Sequence, residues 1–204
     1  MLLGSLRGMY LCVPRNMTQA AGFYNTLLSA NDPALVIEPL KGYNMKELVP
    51  ENLGEFKVPL GVPEAMVEGT DVTLVTYAWN VNHAVKAAEL LATKGISVEV
   101  LDVQTLLPFD VNHRILESIK KTGKVIFVDE DVPGGGTAYM LQKVIEEQQA
   151  FDYLDTAPRT LTAKPHRPAY GIDGEFFSKP NVEQIFENIY EMMREVDIKK
   201  YPRL

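Results

Sequence analysis

Apolar residues in this chain follow two alternating patterns: unbroken runs of at most four or five, and longer segments in which they recur every three or four positions. The first pattern suits strands buried on both faces and the second suits helices with one apolar stripe. Their alternation predicts an α/β fold on a mostly parallel sheet. From Gly8 the run Met-Tyr-Leu-Cys-Val ends at Pro14 and predicts a strand. Asn16 or Thr18 can cap the helix that follows, whose stripe is Ala20, Ala21, Phe23, Tyr24, Leu27 and Leu28. After the turn Ser29–Pro33, Ala34–Glu38 predicts a second strand and completes a βαβ crossover. Such a unit buries too little surface to stand alone, so residues 1–55 are expected to be the last part of a larger domain.

Proline and glycine are frequent from Pro39 to Gly69, which predicts a connection, with 56–69 as the linker and Lys57–Gly61 as a candidate extended edge segment. Regular alternation then resumes over 70–204. Asp71–Tyr77 predicts a strand, and Asn80 can cap a helix with Val81, Ala84, Val85, Ala88, Leu91 and Ala92 on its apolar face. Ile96–Leu101 is the next strand. A short helix starts at Asp110 or Asn112, carries Ile115, Leu116 and Ile119, and stops at Gly123 before the strand Lys124–Val128. After Gly134–Gly136 a helix would present Ala138, Leu141, Val144, Ile145 and Gln148, followed by a more polar strand at Arg159–Ala163. The last helix enters at Pro180 with a stripe of Val182, Ile185, Phe186, Ile189, Met192, Met193 and Val196. This order predicts a doubly wound α/β domain with helices on both faces.

Composition narrows the function classes. A net charge of −7 repels a phosphate backbone, which argues against nucleic acid and for a basic protein or a small molecule as partner. The apolar runs fall far short of the roughly 20 residues needed to span a bilayer, and no basic segment precedes an apolar one at the start, so no membrane role and a cytosolic location are expected. The single cysteine, Cys12, has no partner for an internal disulfide and reads as an inert buried thiol, and the scattered His83, His113 and His166 argue against a Cys/His zinc site.

Candidate chemistry is sparse. Asp129-Glu130-Asp131-Val-Pro-Gly134-Gly135-Gly136 lies between a strand and a helix, where glycine amides can approach a phosphate and carboxylates can hold a metal, but it matches neither G-x-G-x-x-G nor a lysine-bearing P-loop and reads first as a tight turn and helix cap. None of the histidines has a nearby partner that marks a general base. At the end of the first helix, free carbonyls and the carboxylate of Asp32 make an oxygen-rich corner that suits a hard cation, or simply an Asp-Pro turn.

Gly8–Pro14, Asn31–Pro39, Glu68–Tyr77, Gly95–Asp110 and Lys121–Glu130 with Gly135-Gly136 together resemble the beta subunit of thiamine diphosphate-dependent 2-oxo acid dehydrogenases, closest in look to the 2-oxoisovalerate and pyruvate enzymes. Transketolase and deoxyxylulose-phosphate synthase are more distant relatives sharing the two domains. The resemblance implies a transketolase C-terminal-type domain at 70–204, preceded at 1–55 by the last βαβ unit of a thiamine pyrimidine-binding domain. It implies a parent enzyme that decarboxylates a 2-oxo acid and transfers the acyl group to lipoamide, this segment serving subunit assembly and core docking. The implied partners are a second copy or an alpha/beta heterotetramer and the dihydrolipoyl acyltransferase core. Thiamine diphosphate and magnesium are implied for the parent, with their acidic and histidine residues upstream of Met1, so no catalytic or cofactor-binding residue is expected in this segment. Some members hold a structural potassium ion, for which the matching positions are Leu27, Ala30 and Asp32. Two departures stand out: Asp129 where a histidine is common, and Ala78-Trp79 where a glycine is usual. A non-catalytic assembly module and, on Gly134–Gly136 alone, an independent nucleotide-binding enzyme are the competing readings.

Overall fold

β1 (Tyr10–Cys12) and β2 (Ala34–Val36) run parallel, joined by α1 (Met17–Leu27), in a computed structural model that describes residues 6–171 and 173–203. The ends of the two expected units at Met1–Ser5 and Leu204, and Ile172, lie outside the described residues. Asn16 is the cap that α1 uses: its backbone is extended and its side chain accepts the Gln19 N–H at 2.9 Å. Phe23 packs under this crossover with Cys12 and Val58.

The main sheet has the order β3-β5-β4-β7-β8, formed by β3 (Glu64–Val67), β4 (Val72–Thr76), β5 (Val98–Asp102), β7 (Val125–Val128) and β8 (Arg159–Leu161). All neighbours are parallel except β3, which is antiparallel to β5. Even-numbered residues of β4, β5 and β7 face α2 (Asn80–Ala92) and α6 (Val182–Val196); odd-numbered residues face α3 (Arg114–Thr122) and α4 (Gly136–Gln142). Every residue of β4, β5 and β7 is buried, which accounts for the unbroken apolar run of β7 and the mostly apolar character of β4 and β5. The polar exceptions on the odd face are paired: the Thr73 hydroxyl lies 2.6 Å from that of Ser118 and 2.7 Å from that of Thr122, and Ser118 donates to Glu99.

Several local expectations are corrected. Asn80 does not cap α2; Trp79 holds the cap position without a side-chain bond, and Asn80 is buried in the first turn. For α3 neither Asp110 nor Asn112 is the cap residue, since His113 sits there with φ +56, but the Asp110 carboxylate reaches forward to accept the Arg114 and Ile115 N–H groups at 2.8 and 3.1 Å. Of the stripe expected after the glycines, Val144 is buried and Leu141 and Ile145 pack against the same core, while Ala138 is exposed and Thr137 and Met140 are buried instead; the helix runs on into a π turn over Lys143–Glu147. Asn181, one residue after Pro180, caps α6 through the Gln184 N–H at 2.9 Å, and Val196 at its far end is exposed.

The stretch from Pro39 to Gly69 is more ordered than a linker. It carries a 3₁₀ turn at Leu40–Asn44 and the edge strand β3, and its middle is strapped to α1. The Thr18 hydroxyl donates to Glu47 at 2.8 Å, the Asn25 amide to the Leu53 and Phe56 carbonyls at 2.8 Å each, and the Thr26 hydroxyl to the Val58 carbonyl at 2.7 Å. β6 (Thr105–Leu107) and α5 (Gly174–Ser178) had no periodic signal because each is too short to show one. β6 pairs antiparallel with β1 and makes a small second sheet, β2-β1-β6.

Gly69 marks where β3 turns into β4. A Cβ there would meet the Glu99 backbone nitrogen and the Val98 carbonyl carbon at 2.2 Å each, and backbone cannot step aside as a side chain can. Gly69→Ala is expected to destabilise the fold by about 2–3 kcal/mol, the range of overpacked cores, read as a lower urea midpoint at unchanged slope.

Candidate functional site

β4 and β7 are neighbours in the sheet, yet the chain leaves β4 for α2 on one face and leaves β7 for α4 on the other. Their C-terminal ends therefore splay apart, and in open α/β sheets that switch point is where ligands sit. Here it opens into a cleft of about 500 Å³. Leu11 and Val13 of the β1 region and Leu106 of β6 form an apolar wall; Tyr77, Ala78 and Trp79 come from the end of β4; Asp129, Glu130 and Asp131 come from the end of β7. Lys41 and Lys179 also line the cleft. Each is held by a carboxylate: Lys41 by Glu175, and Lys179 by Glu130 at 3.0 Å and Glu175 at 3.4 Å.

Burial shapes the electrostatics of the floor. Asp129 is 2% exposed, and burial raises its carboxyl above the usual carboxylate range against the hydrogen bond from Tyr77. Burial and the Asp129 charge in turn push the Tyr77 hydroxyl far above the phenol range. In both groups burial makes the ionised form costlier than it is in water. Burial, with the Lys41 and Lys86 charges, lowers His83 beneath the cleft, keeping its imidazole neutral. The three histidines remain apart: His113 starts α3, and His166 faces the Arg167 carbonyl in an exposed loop. The arrangement is a binding crevice, with no nucleophile set beside a base among its lining residues.

One buried ion cluster joins the small sheet to the large one. Arg15, just past β1, donates from Nη1 to Asp102 at 2.8 Å and to Glu64 at 2.7 Å. Asp102 is fully buried at the end of β5, and its other oxygen accepts the Gln104 N–H at 3.2 Å. Burial pushes the Asp102 carboxyl up to about 6 despite the arginine. Removing one partner of such a pair strands the other's charge.

The comparisons with known proteins follow from this architecture. The model of "Transketolase, C-terminal domain" matches residues 61–185. The chain belongs to the transketolase C-terminal domain family. It is 36% identical over 167 residues to the beta subunit of acetoin:2,6-dichlorophenolindophenol oxidoreductase of Bacillus subtilis, covering 82% of this chain and 47% of that protein. It is 35% identical to the 2-oxoisovalerate dehydrogenase beta subunit of the same organism, covering 79% and 48%. It is also 35% identical to the pyruvate dehydrogenase E1 component subunit beta of Acholeplasma laidlawii, again covering 79% and 48%. The chain thus spans about half the length of these relatives. A split-gene transketolase, solved as an inactive beta4 tetramer, shares the fold with a TM-score of 0.72 at 20% identity, over 93% of this chain and 59% of that one.

Within this transketolase C-terminal domain Gly134 takes a left-handed backbone conformation, φ +91, and Gly135 and Gly136 are explained by packing. A Cβ at Gly135 would meet Asp131 Oδ2 at 2.3 Å, and one at Gly136 would meet the Tyr77 hydroxyl at 2.3 Å and Asp129 Oδ2 at 2.5 Å. The space in front of these glycines is filled by carboxylates, a donor set that does not fit a diphosphate. Among the described residues no group of three or more His, Cys, Asp or Glu is placed to hold a metal ion. At the end of α1 the Leu27 carbonyl accepts the Ala30 N–H at 2.9 Å, and Asp32 accepts the Tyr10 hydroxyl at 3.3 Å, so the three positions share one turn. Cys12 is completely buried and burial pushes its thiol up to about 12, consistent with an inert group. Sequence reasoning missed Lys41, Tyr77, Lys179 and the Arg15–Asp102–Glu64 cluster. Of these only Tyr77 carried a signal, at the end of a buried strand.

Two predictions arise here. Ala78 has φ +51, a left-handed conformation in which its Cβ is strained. Ala78→Gly should stabilise the fold by about 1 kcal/mol, read as a higher urea midpoint. The second concerns Asp102. Its native carboxyl ionises near 6, whereas an unfolded aspartate ionises near about 3.9. The native state therefore holds the extra proton in that window, so the contribution of Asp102 is present below about pH 4 and is lost as pH rises toward 6. The stability of the native chain minus that of Asp102→Asn should fall by roughly 2 kcal/mol between about pH 4 and pH 7, measured by urea unfolding at both.

Proposed function

We propose that this chain is the C-terminal part of a beta-type subunit of a thiamine diphosphate-dependent 2-oxo acid dehydrogenase, in which it serves subunit assembly and docking to the acyltransferase core. The observation that carries this reading is the 35% identity to 2-oxoisovalerate and pyruvate dehydrogenase beta subunits over about four fifths of the chain. The parent would use thiamine diphosphate and magnesium, bound by other segments, and release the acyl group to lipoamide. Residues up to about 55 would close a pyrimidine-binding domain, and residues 70–204 would form the assembly domain, pairing with a second copy or with alpha subunits. Leu27, Ala30 and Asp32 are proposed as ligand positions of a structural potassium ion, and the location as cytosolic.

One feature of the chain supports the docking role: its net charge of −7 suits a basic docking domain. The identity to an acetoin oxidoreductase beta subunit favours one second reading, in which the parent acts on acetoin rather than a 2-oxo acid. The experiment is to assay the complete parent protein with thiamine diphosphate and magnesium on 2-oxoisovalerate, pyruvate and acetoin. Turnover of one of the two oxo acids is expected; turnover of acetoin alone selects the second reading, and turnover of none sinks both. In parallel, the peripheral-subunit-binding domain of the acyltransferase is expected to bind this chain at low salt and to release with added salt.

A further inference from the structure

Charge is distributed unevenly along the switch-point cleft. Five carboxylates and two ammonium groups line it. Both lysines, together with Glu130 and Glu175, also line a smaller adjoining cavity of about 200 Å³, so these four side chains gather where the two spaces meet. There the charges cancel: Lys41 is bonded to Glu175, and Lys179 to Glu130 and Glu175. Glu38, Asp129 and Asp131 line the main cleft and not the smaller cavity, and among the described residues none of the three forms a salt bridge. The body of the cleft therefore carries negative charge that no cation of the chain offsets.

Two of the three carboxylates are open to solvent. Glu38 is half-buried and accepts the Tyr24 and Tyr43 hydroxyls at 2.6 and 2.5 Å, bonds that hold its carboxyl below the usual carboxylate range without neutralising it. Asp131 is exposed; its Oδ1 accepts the Val132 N–H at 2.8 Å, and Oδ2 makes no hydrogen bond among the described residues. Asp129 is buried beneath, and its carboxyl is raised by burial first and then by the charges of Asp131 and Glu130, so the field of these groups reaches the floor. Leu11, Val13 and Leu106 keep the adjacent wall apolar. An anion entering here meets like charge and a neutral molecule leaves that charge uncompensated, whereas a cation offsets it. The cleft volume of about 500 Å³ falls in the range of small-molecule sites, about 300–1,000 Å³.

We infer that the cleft binds a small organic cation with an apolar body, its charge offset by Glu38 and Asp131 and its hydrocarbon part packed on Leu11, Val13 and Leu106. Such a site does not depend on which substrate the parent enzyme takes.

The test uses the 204-residue chain and three probes that share one hydrocarbon body: 4-phenylbutylamine, 4-phenylbutanol and 4-phenylbutanoate. Trp79 is the single tryptophan and lines the cleft, so its fluorescence reports occupancy. The amine should bind saturably at roughly millimolar affinity, the alcohol about fivefold more weakly, and the carboxylate without saturation. Glu38→Gln and Asp131→Asn should each weaken the amine about threefold and leave the alcohol unchanged, a split that a loss of shape does not produce. Should a variant fail to fold, the native chain with the three probes still decides. Equal binding of amine and alcohol, tightest binding of the carboxylate, or no saturable response to the amine would overturn the inference. Tighter binding of a capped Ala-Lys-Ala peptide than of the amine would also overturn it, because the occupant would then be a side chain of a protein partner.

Discussion

Asp102 is the point at which two sheets become one structure. It ends β5 of the large sheet, is fully buried, and is paired with Arg15 from the strand end of the small sheet. A buried carboxylate is costly unless it is paired and hydrogen-bonded, so the arginine cannot drift from this position without stranding a charge. Glu64 at the start of β3 closes the cluster from the edge of the sheet. The switch-point cleft is walled on one side by Leu11 and Val13 near β1 and by Leu106 of β6, the strands of the small sheet that this cluster holds against the large one.

The switch-point cleft owes its shape to a few close approaches. Gly136 lets α4 start against Tyr77 and Asp129, and Gly135 does the same against Asp131. Ala78 takes a left-handed backbone conformation so that Trp79 can begin α2 while Tyr77 still lines the cleft. Such strain persists where surrounding packing over-determines it and is commonest near binding sites. Two of the lining segments are tied together by Lys41 and Glu175, one from the turn after β2 and one from α5. The cleft is thus assembled from segments more than a hundred residues apart in the chain.

Much of the scaffold was legible, because a buried parallel strand must be apolar throughout and a helix that covers it must carry a stripe. Val125–Val128 and Ile185 to Met193 follow those rules directly. The rules lapse where an element is short or irregular. β6 has three residues, α5 has five, and the helix after the glycines runs on into a π turn at Lys143–Glu147. β3 was hidden among prolines and glycines because an edge strand has no need of a continuous apolar run. The site was less legible than the scaffold. Asp129 stood out by its setting between strand and glycines, but the glycines serve close packing against Asp131, Tyr77 and Asp129.

By itself the sequence determined which segments are buried strands and covering helices, the parallel βαβ connections between them, and the inertness of Cys12, since these depend on periodicity and residue type within a few positions. Only the tertiary structure decided that Arg15 meets Asp102 and Glu64, and that Lys41 faces Glu175. Those pairings join residues from tens to more than a hundred positions apart. Charge and hydrogen-bond satisfaction depend on where the strand ends come to lie in space, and no local pattern records that.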